Sequence, residues 1–379
     1  MAGQKRRLRA RWLALHRWLG LPLGLVFAVV GVSGSLLGFY PELDLVLNPP
    51  PHALATVGPD YPWQPVAERL RRAYPAYDGP WRIEVPLTPG RPILARYYHP
   101  PERPGKSFGP RLVSLDPATL AILQDRYWGD GGLTWVYDLH YTLFLDRSGR
   151  QLLAGVAALL LVSLVSGLWL WWPTPGHWRE RSRWRIRPGR VRATYDWHVL
   201  SGLYGAPLLA LLLLTGLVLE IPEPVEGLLQ IHRPAPPVSP PLAPGQPSLT
   251  LDQALVVARH TFPGAQPRWL EIPPRAGGLT HITLWQSGEP GRRFPKTQVW
   301  LDSQGHLLAQ RNPLTETPAP RLMAWLHPLH NGECLGLPGR LAVTLAGLLP
   351  LGLWVSGWMR WRQKKDENKL PRTKRIKKR

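Results

Sequence analysis

The sequence predicts an α-helical membrane protein. The expected architecture is a four-helix transmembrane bundle built from two parallel repeats, each a span, an outer α+β domain and a second span. Three observations predict it. Four charge-poor runs, at 18–41, 151–178, 199–219 and 341–359, are long enough to cross a bilayer. Arginine and lysine crowd into the segments that flank one side of those runs. The two halves of the chain repeat the same histidine motifs at the same spacings.

A span needs about 20 apolar residues, and a charge at its centre costs about 2.5–3.5 kcal/mol on insertion scales. Pro22, Pro207 and Pro350 fall inside or at the start of runs, which membrane helices tolerate with a kink. The first run exceeds the apolar core of about 7–15 residues found in signal peptides, and no clean A-x-A site follows it. It is therefore expected to be an uncleaved anchor.

The net charge of +21 is concentrated at three places rather than spread over one surface. Lys5, Arg6, Arg7, Arg9, Arg11 and Arg17 precede the first run. Arg179, Arg181, Arg183, Arg185, Arg187, Arg190 and Arg192 lie between the second and third. Eleven lysines and arginines, from Arg360 to Arg379, follow the fourth. The two long loops carry acids that roughly match their bases. The positive-inside rule puts both termini and the short loop in the cytoplasm, with the long loops outside. Nucleic acid is excluded as a partner, and the basic tail is expected to lie against anionic lipid. Cys334, the single cysteine, excludes an internal disulfide, a four-cysteine zinc site and a cysteine-held iron–sulfur cluster. Trp169, Trp171, Trp172, Trp354, Trp358 and Trp361 sit where an interface belt is expected.

This reading divides the chain into a basic cytoplasmic segment 1–17, span one 18–41 and a first outer domain 42–133. A ligand-bearing segment with span two follows at 134–172, an arginine-rich cytoplasmic loop at 173–197 and span three at 198–221. The second outer domain is 222–326, the second ligand-bearing segment with span four 327–359, and the basic tail 360–379. Within the outer domains, 63–128 and 248–311 each offer a short helix, at 66–74 and 251–262, followed by alternating strands such as ITLW. That order reads as a small α+β unit. Pro49-Pro50-Pro51 and the linker 234–247 are stiff and proline-rich.

The repeat carries the chemistry. LHRWLGL surrounds His16 and WHVLSGLYG surrounds His198. DLHYTLFLDRSGR surrounds His140 and PLHNGECLGLPGR surrounds His330. Every span holds a small pair: Ser33-Gly34, Ser166-Gly167, Thr215-Gly216 and Ser356-Gly357. His16 to Gly34 is 18 residues, as is His198 to Gly216; His140 to Gly167 is 27, as is His330 to Gly357. Parallel repeats imply a pseudo-two-fold axis along the membrane normal. That axis relates His16 to His198 at the cytoplasmic side and His140 to His330 at the outer side. A histidine alone at a helix end is ordinarily an interfacial or capping residue. Two symmetric pairs are what two low-spin haems b need as axial ligands, and no C-x-x-C-H is present for covalent attachment. Serine and glycine beside the histidines are expected to let a flat macrocycle approach the backbone. A rise of about 1.5 Å per residue separates His16 and Gly34 by about 27 Å, so one haem is expected near each face. Arg17, Arg150 and Arg340 are candidate partners for haem propionates. His327 rivals His330 within WLHPLH, and the repeat alignment favours His330. His52, His99, His177, His232, His260, His281 and His306 show no paired spacing and are expected mostly at the surface.

At LHRWLGL with Ser33-Gly34, LHYTLFLDRSGR with GLWLWWP, WHVLSGLYG with Thr215-Gly216, and LHNGECLGLPGR with Ser356-Gly357, the chain resembles the PepSY-associated transmembrane family of bacterial inner-membrane proteins. The resemblance runs over nearly the whole chain, and the outer units look like PepSY modules. It departs in the arginine-rich loop and in a short span four. The resemblance implies a haem-b ferric-siderophore reductase with His16, His140, His198 and His330 as axial ligands of the haem iron. It also implies a periplasmic ferric siderophore or other Fe(III) chelate as substrate. No G-x-G-x-x-G follows a strand, so a separate donor, a quinol or a flavoprotein, is expected. Two other readings stand beside it: a membrane-tethered peptidase regulator without redox activity, and a haem-bearing anchor subunit for a soluble oxidoreductase.

Overall fold

The computed structural model describes residues 2–184, 189–231, 235–239, 248–274 and 278–369. Arg185, Arg187, His232, the linker residues 234 and 240–247, and the basic tail beyond Lys369 lie outside them. The chain opens with α1 (Ala2–Gly20), α2 (Pro22–Leu37), α3 (Tyr40–Leu47) and α4 (Gln64–Ala73). Four strands follow: β1 (Trp81–Glu84), β2 (Ile93–Tyr97), β3 (Arg111–Leu115) and β4 (Ile122–Tyr127). Then come α5 (Gly132–Thr142), α6 (Asp146–Trp171), the short α7 (Trp178–Arg181) and the long α8 (Arg190–Glu220). The second half repeats the order with α9 (Pro222–Leu228), α10 (Leu251–Thr261), β5 (Gln266–Ile272), β6 (Thr280–Trp285), β7 (Thr297–Leu301) and β8 (Leu307–Arg311). It closes with α11 (Pro318–His330) and α12 (Gly336–Lys369). Contacts divide these elements into two compact units, one of long helices and one built on the strands.

In the helical unit, three helices are long and apolar enough to cross a bilayer, and α1 with α2 makes a fourth candidate bent by 46°. The bend sits at Leu21, where Pro22 cannot donate a helix hydrogen bond. It shortens the straight 27 Å rise expected between His16 and Gly34. The helix also starts at Ala2 rather than at residue 18, so the basic N-terminus is helical. Trp354, expected in the interface belt, instead reaches the bend and donates from Nε1 to the Leu21 carbonyl at 2.9 Å. The second apolar run extends to 178, but α6 ends at Trp171, beside the boundary drawn at 172, because the residue before Pro173 is driven out of helical conformation and Trp172 adopts ψ 118°. The fourth apolar run is short but its helix is not: α12 continues through 34 residues to Lys369, carried past the apolar run by good helix formers.

Within this unit α2 packs on α12, α12 on α8, α8 on α6, and α1 on α6. The two pseudo-symmetric seams differ in chemistry. Between α2 and α12, a Cβ on Gly31 would strike the Gly347 carbonyl, and one on Gly347 would strike the Ser35 hydroxyl. Ser35 Oγ donates across the seam to the Thr344 carbonyl at 2.7 Å. Small residues let these backbones touch, which is how helices associate where lipid supplies no hydrophobic drive. On the α6–α8 side, Val156, Leu160 and Leu213 form the buried cluster.

In the strand unit, all eight strands form one antiparallel sheet in the order β4-β3-β2-β1-β5-β6-β7-β8. The sequence led us to expect a small α+β unit in each half; β1 and β5 join the two edge to edge. Pairing closes the two edges that would otherwise stay open at the centre. One face is covered by α4 and α10. Val66, Leu70, Leu251 and Leu255 pack there against Ile83, Ile93, Val113, Leu270, Ile282 and Val299. The two helix starts cap each other. Asp252 accepts the Trp63 and Gln64 backbone N–H groups at 2.7 and 3.1 Å, and Gln64 Oε1 accepts from Leu251 N at 2.9 Å.

The opposite face carries a charged ladder across the joint. Glu84 lies between Arg96 of β2 and Arg268 of β5. Glu271 lies between Arg82 of β1, at 2.7 Å, and His281 of β6, at 3.0 Å. Each carboxylate takes one basic neighbour from its own half and one from the other. Burial opposes ionisation of Glu271, but the His281 hydrogen bond and the Arg82 guanidinium outweigh it and hold its carboxyl down to about 2.

Two predictions follow from this packing. Gly31→Val should lower stability in detergent by about 1–3 kcal/mol. Gly155→Ala, where an added Cβ meets open space, should stay within about 0.5 kcal/mol of wild type. Equal thermal midpoints for the two variants would contradict the tight α2–α12 seam. Glu271 ionises more readily folded than unfolded, so its contribution is present above its ordinary value of 4.5 and is lost as pH falls toward 2. The amount is at most about 3 kcal/mol. Thermal unfolding of the whole protein across that acid range should therefore steepen in wild type and flatten in Glu271→Gln.

Candidate functional site

The four repeat-related histidines come together as two pairs in the helical unit. His16, on α1, faces His198, on α8, with ring centroids 6.2 Å apart and planes at 79°. His140, near the end of α5, faces His330, the last residue of α11, also at 6.2 Å, with planes at 49°. The rival His327 packs its ring on Phe294 at 4.2 Å instead.

All four rings are held by one device. His16 Nδ1 donates to the Ser163 carbonyl at 3.0 Å and lies 3.0 Å from Ser166 Oγ. His140 Nδ1 donates to the Val30 carbonyl at 2.9 Å and lies 3.3 Å from Ser33 Oγ. His198 Nδ1 donates to the Leu353 carbonyl at 3.1 Å, with Ser356 Oγ at 3.0 Å. His330 Nδ1 meets Thr215 Oγ1 at 2.9 Å and the Leu212 carbonyl. In every case the carbonyl lies three residues before the serine or threonine; Ser166 and Ser33 donate to that same carbonyl at 2.6 and 2.9 Å, whereas Ser356 and Thr215 donate at 2.7 Å to the carbonyls of Gly352 and Leu211, four residues back. A carbonyl can only accept, so Nδ1 carries the proton and Nε2 keeps the lone pair.

The glycines beside these hydroxyls serve the imidazoles. A Cβ on Gly34 would fall 2.6 Å from His140 Cε1, and one on Gly167 3.0 Å from His16 Cε1. Gly216 and Gly357 stand in the same relation to His330 and His198, at 3.2 and 3.3 Å. This corrects the expectation that the small pairs open the backbone to a macrocycle: the ring they admit is the histidine's own. It also explains the equal spacings. Each histidine docks on the small pair of the other span in its half, so both intervals must be kept together.

The geometry fits an iron porphyrin. Two metal–imidazole bonds of about 2.0–2.1 Å, extended by about 1 Å from each nitrogen to its ring centre, give about 6 Å between centroids. Among the described residues, no three histidine, cysteine, aspartate or glutamate side chains gather into one ion-holding group. Each pair supplies two ligands, the number an iron already held by four porphyrin nitrogens lacks. The backbone carbonyl on Nδ1 is the outer support that fixes tautomer and ring direction in metal-bound histidines.

The proposed propionate partners are engaged otherwise. Arg150 bonds the Leu219 and Glu220 carbonyls at 3.3 and 2.6 Å and the Glu220 carboxylate at 3.2 Å, at the C-terminus of α8. Arg340 donates to the Gly38 carbonyl at 3.1 Å, at the C-terminus of α2, and covers the Phe39 ring. A cation on the last carbonyls of a helix opposes the negative end of its dipole. Arg17 is exposed. The glycine before each arginine permits a close turn: a Cβ on Gly149 would collide with the Thr142 carbonyl, and one on Gly339 with the Gly332 carbonyl. The repeated Gly-Arg was visible in the sequence, but its partner helices were not. Of the unpaired histidines, His281 is not at the surface; it is stacked on Trp300 at 4.8 Å and bonded to Glu271. His52 and His306 bond the turn carboxylates of Asp116 and Asp302.

Spans, an antiparallel sheet unit and two half-buried histidine pairs define a multi-pass membrane protein of repeated design. The model of the PepSY-associated TM region matches residues 13–364. The chain belongs to that family. It is also similar to an uncharacterised protein of Pseudomonas aeruginosa, 27% identical over 258 residues. That match covers 62% of this chain and 64% of the relative.

If Arg150 caps α8, Arg150→Ala should cost about 1–3 kcal/mol by leaving buried acceptors unpaired. Adding Glu220→Gln should recover part of that cost in a thermal unfolding series. An Arg150→Ala protein as stable as wild type would remove the capping role.

Proposed function

We propose that this chain is a bacterial inner-membrane haem-b reductase that passes electrons across the bilayer to ferric iron held in a chelate outside, with ferric siderophores as the substrate class. The observation that carries the reading is the pair of facing imidazoles, found twice at 6.2 Å with Nδ1 engaged. In this reading the spans form a four-helix bundle of two parallel repeats. Both termini and the arginine-rich segments lie in the cytoplasm, and the PepSY-like sheet unit lies in the periplasm. His16 and His198 hold one haem toward the cytoplasm, and His140 and His330 hold a second toward the outside. When bound, each haem supplies a one-electron Fe(III)/Fe(II) couple.

The chain's own part is orientation. The carbonyls of Ser163, Val30, Leu353 and Leu212 fix each imidazole with Nε2 forward. The glycines bring each ring tight against the neighbouring helix. Family membership supports a shared membrane design, and the lack of a nucleotide-binding motif supports a separate quinol or flavoprotein as donor.

The test is a haem-to-protein ratio with an electron-transfer readout. Wild type should carry about two haems per chain, and His16→Ala and His330→Ala should each lose about one. Dithionite-reduced wild type should reoxidise when given a ferric trihydroxamate chelate. A protein that stays colourless with added haem supports the peptidase-regulator reading. Full haem content without reoxidation by the chelate supports the anchor-subunit reading.

A further inference from the structure

The elements next to the outer ends of the spans leave apolar side chains uncovered in a pattern that follows the repeat. α3 begins three residues after α2 ends, and α9 begins two residues after α8 ends. Val46 follows His16 by 30 residues and Leu228 follows His198 by 30. These two matched positions are 75% and 83% exposed, and Leu47 beside the first is exposed as well. One face of α3 is tied down, because Asp44 pairs with Arg126 of β4 at 3.2 Å. Two residues advance a helix by about 200°, so Val46 projects from the opposite face. Glu226 stands in the same position before Leu228.

The turns leading into the other two spans repeat the pattern. Leu145, before α6, and Leu335, before α12, each follow their histidine by five residues and are both exposed. All four outer span ends therefore carry uncovered apolar side chains, in two matched pairs. A protein partner would cover one patch. A medium that meets every span end is the bilayer, and α3 and α9 continue directly from helices that cross it.

We propose that α3 and α9 are interfacial helices. Val46, Leu47 and Leu228 are seated at the headgroup–acyl boundary of the outer leaflet. The exposed Glu223, about 140° around α9 from Leu228, remains on the water side. This placement is independent of the haem reading.

The experiment is spin-label accessibility on the full chain in phosphatidylcholine–phosphatidylglycerol liposomes, in a Cys334→Ser background. Nitroxides are attached at Val46→Cys, Leu228→Cys and, as an aqueous control of similar chemistry, Val256→Cys. Val256 lies on α10 and is 54% exposed. The expected result is an oxygen-to-nickel-chelate accessibility ratio several-fold higher at 46 and 228 than at 256. Ratios at 46 and 228 equal to that at 256 would overturn the proposal. So would spin–spin broadening at 46 or 228 that disappears on dilution with unlabelled protein, because a second copy would then cover these residues. If Val46→Cys unfolds early, Leu47→Cys replaces it with the same expected outcomes.

Discussion

Everything at the centre of this molecule depends on a hydrogen bond from a histidine Nδ1 to a backbone carbonyl one turn before a serine or threonine. The carbonyl fixes the tautomer. At His16 and His140 the hydroxyl is itself bonded to that carbonyl and stiffens the acceptor. The adjacent glycine removes the one methyl group that would push the ring away. Four copies of the device aim four imidazoles into two facing pairs. A different residue at any of the glycines acts on a histidine more than a hundred residues away in sequence, as Gly34 and His140 illustrate.

The two-fold repeat sets the plan, and departures from it show what each half contributes. α2 meets α12 backbone to backbone through Gly31 and Gly347, whereas α6 meets α8 through branched side chains. The sheet closes its central edges by pairing β1 with β5. Each half lends a basic group to the other's carboxylate, Arg268 to Glu84 and Arg82 to Glu271. Asp252 and Gln64 cap opposite helices in the same spirit. The halves are thus held together by polar exchange in water and by small-residue contact in lipid, as the two solvents require.

Much of this was legible in the chain, for reasons of period and length. Twenty-residue apolar runs announce spans, Pro22 announced the bend, and equal histidine spacings singled out four side chains from twelve. The family followed from the same motifs. The second apolar run overshoots its helix because the tryptophan-rich stretch continues in hydropathy past Pro173, where the helix has already stopped. The sheet fusion was hidden because β1 and β5 read as ordinary alternating strands, and nothing local says that an edge will pair with another half. The partners of Gly34 and Gly167 were hidden too: spacing within a span marks a residue, but only packing shows which helix it meets. Arg150 and Arg340 looked like anion binders because a guanidinium suits a propionate and a helix C-terminus equally well.

The account's central claim is that each facing pair clasps a haem iron. Low-temperature electron paramagnetic resonance of the purified, oxidised protein tests it most directly. Two low-spin ferric signals are predicted, one abolished by His16→Ala and the other by His140→Ala, each leaving its counterpart intact. A silent spectrum from haem-replete protein, or signals that neither substitution changes, would contradict it.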